Sequence, residues 1–327
     1  MIGTRTPFRM SFIGGGSDLK EFYSRSPGCV ISTTIDKYMY IFVHPFFDNR
    51  IQIKYSKTEL VEHVEEIKHP IAKEILKKFD LKGIDINSIA DIPAGTGLGS
   101  SSSYTVGLLH ALYSYTGQSV SEERLARKAC EIEIDILKEP IGKQDQYAAA
   151  CGGLNLIRFF PDGKVKVEPV EMNKKTSKKL QKNLLLFYTG STRSASEVLN
   201  DQKHNLVNEK AKFDCLVHMT KLVEMAKNNL CESNLEDFGK TLDKNWQLKK
   251  SLSNKISNTD FDDIYKIALK NGALGGKLLG AGGGGFFLFY CESENHENLR
   301  YALKDLKEIE FMFDSSGTKS INVGQLN

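Results

Sequence analysis

Two stretches of this 327-residue chain concentrate glycine where a regular element begins: PAGTGLGSSSSY at 93–104 and GAGGGG at 280–285. The first runs into TVGLLHALYSY, an apolar segment of helical character, and the second into FFLFYC, a buried-strand pattern. A glycine within a regular element costs about 0.5–1 kcal/mol relative to alanine, against a net stability of only about 5–15 kcal/mol. Clusters in both places therefore imply close backbone approach to a ligand, with a flexible loop as the plain alternative. A helix N-terminus leaves four backbone N–H groups unpaired and carries partial positive charge. A glycine loop in front of it lets phosphate oxygens approach those donors. Serine hydroxyls in the first turn would cap the helix or reach a Mg²⁺ ion held by the phosphates. The helix after Gly99 is expected to begin on a nucleotide.

The rest of the chain narrows the class. With 40% hydrophobic and 26% charged residues it reads as a soluble globular protein, long enough for one large or two ordinary domains. A net charge of +3 gives no strong field for nucleic acid or an anionic membrane. The six cysteines are scattered without ligand-like spacing, and no apolar run reaches membrane-spanning length, so a cytoplasmic location with reduced thiols is expected. Residues 28–55 read as two or three strands, 58–80 as a helix, and 121–137 as a helix with Ser119 and Glu122 as its capping box. The run 152–170 reads as strand, turn at Pro161-Asp162-Gly163, and strand. NKKTSKKLQKN at 173–183, with five lysines, reads as an exposed boundary between domains 1–175 and 183–327. Helices over about 194–229, 234–252, 260–270 and 295–307 follow, with a last strand near 310–313. Strands and helices mixed in both halves predict an α+β fold.

The P-loop pattern GxxxxGK[ST] and the HRD and DFG signatures of protein kinases are absent, and Gly95-x-Gly97-x-Gly99 has the wrong spacing for a Rossmann fingerprint. PAGTGLGSSSS instead resembles the second motif of the GHMP kinases, KLLGAGGGGFF (277–287) their third, and RTPFRMSFIGGGSD (5–18) their first, in the form found in sugar kinases. The three lie in family order and span nearly the whole chain. The resemblance implies a two-domain fold, ribosomal protein S5 domain 2-like then ferredoxin-like, with the active site between the domains. It implies ATP as donor, Mg²⁺ as cofactor, a small-molecule sugar phosphate as substrate, no nucleic-acid or membrane partner, and a monomer or homodimer.

Residue by residue, Asp145 in GKQDQ matches the family's catalytic aspartate, which accepts or orients the proton of a sugar hydroxyl, and Arg9 matches an arginine beside it. Pro93, Gly95, Gly97, Leu98, Gly99, Ser100, Ser101 and Ser102 would hold ATP. Glu133 matches the magnesium-binding glutamate, with Glu131 and Asp135 as competitors two positions away, and Ser101 is the expected hydroxyl ligand, with Ser100 and Ser102 as competitors. Gly15, Gly16, Ser17, Asp18, Gly282 and Gly283 would contact the sugar, and Lys143 and Arg193 a terminal phosphate. Galactokinases carry Glu-His where this chain has Gly15-Gly16, which argues against galactose and leaves room for a larger sugar. The GGGSD form, with GKQDQY and YTGSTRSA, is similar to D-glycero-D-manno-heptose 7-phosphate kinases. The implied reaction is phosphorylation of the anomeric hydroxyl, feeding nucleotide-activated heptose for surface polysaccharide. A fucokinase-like enzyme for a free sugar, or a sensor without turnover, are the alternatives.

Overall fold

In the computed structural model, which describes residues 1–192 and 195–322, the chain begins with two long antiparallel strands, β1 (Ile2–Ile13) and β2 (Gly28–Pro45), joined through α1 (Lys20–Tyr23). The expected two or three strands over 28–55 are β2, unbroken for 18 residues, and β3 (Ile51–Lys54). The helix expected over 58–80 is shorter. Residues 58–61 form β4 (Thr58–Val61) against β3, and α2 (Pro70–Phe79) starts only at the proline. Proline fits the first helical turn, where no N–H is needed, and breaks a helix that tries to run through it. Next come β5 (Ile84–Ala90), α3 (Ser100–Tyr115), α4 (Glu122–Cys130), α5 (Gln144–Cys151), β6 (Asn155–Phe159) and β7 (Val165–Pro169). The cap of α4 is Ser121, whose side chain accepts from the Arg124 N–H at 3.3 Å, in place of the capping box expected from Ser119.

The lysine-rich stretch is a helix, α6 (Lys174–Lys182), capped by Asn173 and burying Thr176 and Leu180 on one face while the lysines occupy the others. The second half contains β8 (Leu184–Tyr188), α7 (Ala195–Asn208), α8 (Lys210–Cys231), α9 (Leu235–Ser251), α10 (Thr259–Lys270), β9 (Ala273–Leu278), β10 (Phe286–Cys291), α11 (His296–Ala302) and β11 (Lys307–Glu308). Two further strands, β12 (Phe313–Asp314) and β13 (Lys319–Asn322), close the described chain.

Among the described residues the strands form two sheets. One has the backbone order β13-β1-β2-β5-β3-β4, with β6, β7 and β12 attached through β2; the other is antiparallel, in the order β11-β8-β10-β9. Thus β12 and β13, within the segment expected to form the second domain, pair with the first sheet. Helices α8 and α9 also pack on β1, where Phe12 meets Phe238 edge-on at 5.7 Å. The two halves share buried apolar surface. No helix among the described residues is long and apolar enough to cross a membrane.

Candidate active site

The site starts from the pleat of β1. Phe8, Met10 and Phe12 are fully buried in the core, so the alternate residues Arg9 and Ser11 face the other way, into the cleft. The Arg9 guanidinium makes a two-pronged contact with Asp145, Nε to Oδ1 and Nη2 to Oδ2, both 2.8 Å, and its Nη1 donates to the Gly97 carbonyl at 2.5 Å. Such fork-to-fork pairing fixes the carboxylate in position. Asp145 sits in the first turn of α5, and Arg9 is almost entirely buried.

Opposite stands the N-terminus of α3. Its N-cap, Gly99, has φ +76° and no side chain to cap the helix, leaving the first-turn donors open to the cleft. A Cβ on Gly99 would lie 3.2 Å from Arg9 Cγ and 3.3 Å from Asp145 Oδ2, so glycine is what lets the loop pass over the Arg9–Asp145 pair. Three of the four serine hydroxyls have partners. The hydroxyls of Ser101 and Ser102 donate to Glu133 Oε1 (2.7 Å) and Oε2 (2.9 Å), and that of Ser103 to the Pro7 carbonyl (2.9 Å).

The glycine clusters meet each other. A Cβ on Gly97 would run into the Leu279 carbonyl, one on Gly280 would lie 2.6 Å from Gly97 Cα, and one on Gly285 would collide with the Thr96 carbonyl. Much of the close approach expected toward a ligand is therefore approach of one loop to the other across the two halves.

Of the three candidate carboxylates, Glu133 alone turns inward. Residues Glu131–Ile136 continue α4 as a π-helix, with the Leu137 N–H reaching back five residues to Ile132. Such bulges re-aim side chains and recur at functional sites. Glu131 is thereby left outside, paired with Lys78 and Lys128, and Asp135 is exposed. Glu133 is fully buried and also accepts from Gln146 Nε2 at 2.7 Å; burial raises its pKa against the effect of these three donors. A buried carboxylate beside an exposed serine hydroxyl, with no cation among its hydrogen-bond partners, is a hard-oxygen donor pair that fits Mg²⁺, which takes few protein ligands.

A cavity of about 230 Å³ gathers most of the expected residues: Arg9, Gly15, Gly16, Asp18, Gly95, Gly97, Gly99, Ser100, Ser101, Ser102, Asp145 and Gly282. Asp18 accepts from the Gly16 and Gln144 N–H groups, and its pKa is raised by burial first and by the nearby Asp145 charge second. Other expected residues lie outside the lining of this cavity. Ser17 is buried, its hydroxyl donating to the Cys29 carbonyl and accepting from its N–H. The Lys143 ammonium turns from the cleft to donate to the Gly163 carbonyl at 2.8 Å, over the Tyr23 ring. Leu98 belongs to the core, Pro93 lines a separate depression with Tyr188 and Phe286, and the Gly283 N–H is bonded to the Ile256 carbonyl. Arg193 lies outside the described residues.

Residues not singled out from the sequence also line the cleft: Ser11, Gln144, Ser196, Leu199 and Lys249. Ser11 Oγ and Gln144 Oε1 are buried without a partner, as acceptors or donors waiting for a hydroxyl would be. Motif spacing carries no signal for them, since each is placed by an element whose facing only packing sets.

An open helix N-terminus facing an arginine-held aspartate, in a cleft between two α+β halves, defines a small-molecule phosphotransferase site. The model for the GHMP kinases N terminal domain matches residues 60–153, and that for the GHMP kinases C terminal matches 226–308. The D-glycero-alpha-D-manno-heptose 7-phosphate kinase of Campylobacter jejuni is 32% identical, over 97% of each chain. The bifunctional fucokinase/GDP-fucose pyrophosphorylase of Arabidopsis thaliana is 24% identical over 93% of this chain and 31% of that one. The solved structure of a D-glycero-D-manno-heptose 1-phosphate kinase from Bacteroides thetaiotaomicron shares the fold, with a TM-score of 0.82, 24% identity, and 99% and 100% of the two chains covered. The chain belongs to the GHMP kinase family. It has that family's two-domain α+β fold and is a sugar kinase, a phosphotransferase with ATP as its phosphate donor.

Proposed function

We propose that the protein phosphorylates the anomeric hydroxyl of D-glycero-D-manno-heptose 7-phosphate, giving the 1,7-bisphosphate for nucleotide-activated heptose and surface polysaccharide, with ATP and Mg²⁺. The observation that carries the chemistry is the Arg9–Asp145 pair facing the open start of α3. The choice of sugar is supported by the full-length likeness to the Campylobacter jejuni enzyme. Residues 1–175 form the ATP-binding unit and 183–327 the second unit, whose last strands return to the first sheet.

In this reading the polyphosphate of ATP lies on the backbone N–H groups of Gly95–Ser102. The sugar rests against Gly15, Gly16 and Asp18, its anomeric oxygen toward Asp145. That oxygen forms a new bond to the γ-phosphorus as the bond from phosphorus to the bridging oxygen of ADP breaks. Asp145 accepts the hydroxyl proton and later releases it to solvent. Arg9 holds the carboxylate in place. Glu133 and Ser101 would hold Mg²⁺, which when bound supplies neutralisation of phosphate charge.

The test is ADP release from Mg·ATP with heptose 7-phosphate, mannose 6-phosphate, free heptose, fucose and galactose, beside Asp145→Asn. Turnover on heptose 7-phosphate that falls by about 10²–10⁴ in the variant is expected. Turnover on fucose alone would replace the substrate. No turnover with sugar binding retained would mean a sensor, and unchanged turnover in the variant would remove Asp145 as base.

A further inference from the structure

Among the described residues two cations line the cleft, Arg9 and Lys249. Arg9 is committed, with its guanidinium on Asp145 and on the Gly97 carbonyl. Lys249 is not. It rises from α9 with only 4% exposure, and its hydrogen-bond partners are neutral: the Gly15 carbonyl at 3.1 Å and Gln202 Oε1 at 2.9 Å. An ammonium has three donors, so one remains. A buried cation without a paired anion costs stability and persists where something offsets it.

Gln202 explains why the ammonium is held there. It is fully buried on α7, the helix that also lines the cleft through Ala195, Ser196 and Leu199. Its Oε1 takes one Lys249 donor, while its Nε2 has no partner. Together the two side chains present N–H groups and no acceptor, which suits an anion. Gly16 gives access: a Cβ there would strike the Gln202 amide and stand 3.4 Å from Lys249 Nζ. A side chain at this position would occupy the space before the ammonium.

We propose that Lys249, positioned by Gln202, receives the phosphate group of a phosphorylated sugar, and that Gly16 leaves room for it. The assignment rests on the substrate being a sugar phosphate. It moves the phosphate contact from Lys143, which faces the Gly163 carbonyl, to a helix of the second half. Burial lowers the ammonium pKa to about 8, with the Asp18 charge acting against the shift, so the group is a cation at neutral pH.

The experiment measures kcat and KM of the full chain for heptose 7-phosphate, free heptose and ATP, in the wild type, Lys249→Met, Lys249→Arg and Gln202→Leu. Thermal melts run in parallel. A charge-assisted contact predicts a rise of about 10–100-fold in KM for heptose 7-phosphate in Lys249→Met. The KM values for free heptose and ATP stay unchanged, Lys249→Arg recovers part of the loss, and Gln202→Leu shows a smaller rise for the phosphorylated sugar alone. Since Met removes a buried charge, the variant melts no lower than the wild type. Three results overturn the assignment. If the wild type requires the phosphate and Lys249→Met keeps that discrimination, the substrate reading stands and Lys249 falls. Equal losses on both sugars would make Lys249 a scaffold residue. A wild type that prefers free heptose removes the substrate reading and the phosphate contact together.

Discussion

The packing of the two glycine loops against each other yields a measurable energy, because the chain supplies its own control. Gly95 and Gly97 both have left-handed backbone, with φ +78° and +84°. Alanine at either position pays the left-handed penalty of about 1–2 kcal/mol. Their surroundings differ. A Cβ on Gly95 meets nothing closer than Thr192 Cβ at 3.7 Å, ordinary contact. A Cβ on Gly97 overlaps the Leu279 carbonyl and lies 2.8 Å from its carbon and 3.2 Å from the Gly280 nitrogen, all of it backbone that cannot swing away. Overpacking of this kind adds about 1–3 kcal/mol. Gly95→Ala is thus expected to destabilise by about 1–2 kcal/mol and Gly97→Ala by about 2–5 kcal/mol. Urea unfolding followed by fluorescence and by circular dichroism, with the slope compared between variants, gives both numbers. Equal losses, within about 0.5 kcal/mol, would show that the loops do not interlock and that both glycines serve conformation alone.

Further outcomes follow from the buried charges. Glu133→Gln removes a carboxylate whose burial raises its pKa, so stability should stay within about 1 kcal/mol of the wild type. The Mg²⁺ concentration for half-maximal turnover should meanwhile rise at least about tenfold; an unchanged Mg²⁺ titration would remove Glu133 as a ligand. Lys249 gives a pH signature. Its pKa falls from 10.5 unfolded to about 8 folded, so between those values the unfolded chain holds more protons and this group makes stability rise with pH. Below about 8 both states are protonated and the full burial cost persists. Melts of the wild type minus those of Lys249→Met, from pH 7 to 10, should show that slope, and a flat difference would contradict it. The same titration should lower kcat/KM for heptose 7-phosphate above about pH 8, with no matching fall for an unphosphorylated sugar.

The local chemistry of the site was legible in the chain itself. Glycines with positive φ and a serine run at a helix start are properties of short segments, dictated by backbone sterics. Together with the resemblance of the three motifs to those of the GHMP kinases, they made Arg9, Asp18, Gly97, Gly99, Ser101, Glu133 and Asp145 candidates. What tertiary structure alone decided is which side chains from distant segments share a space. The choice among Glu131, Glu133 and Asp135 depended on a π-helical turn, whose backbone shift has no signature in a run of alternating acids and isoleucines. Lys143 lies two residues from Asp145 yet turns to a neighbouring β-turn, whereas Lys249, more than 100 residues away in sequence, reaches the cleft because α9 packs on β1. The second glycine cluster faces the first for the same reason. Backbone preference is written residue by residue, but the facing of a helix is set by the surface it buries, and that surface belongs to another part of the chain.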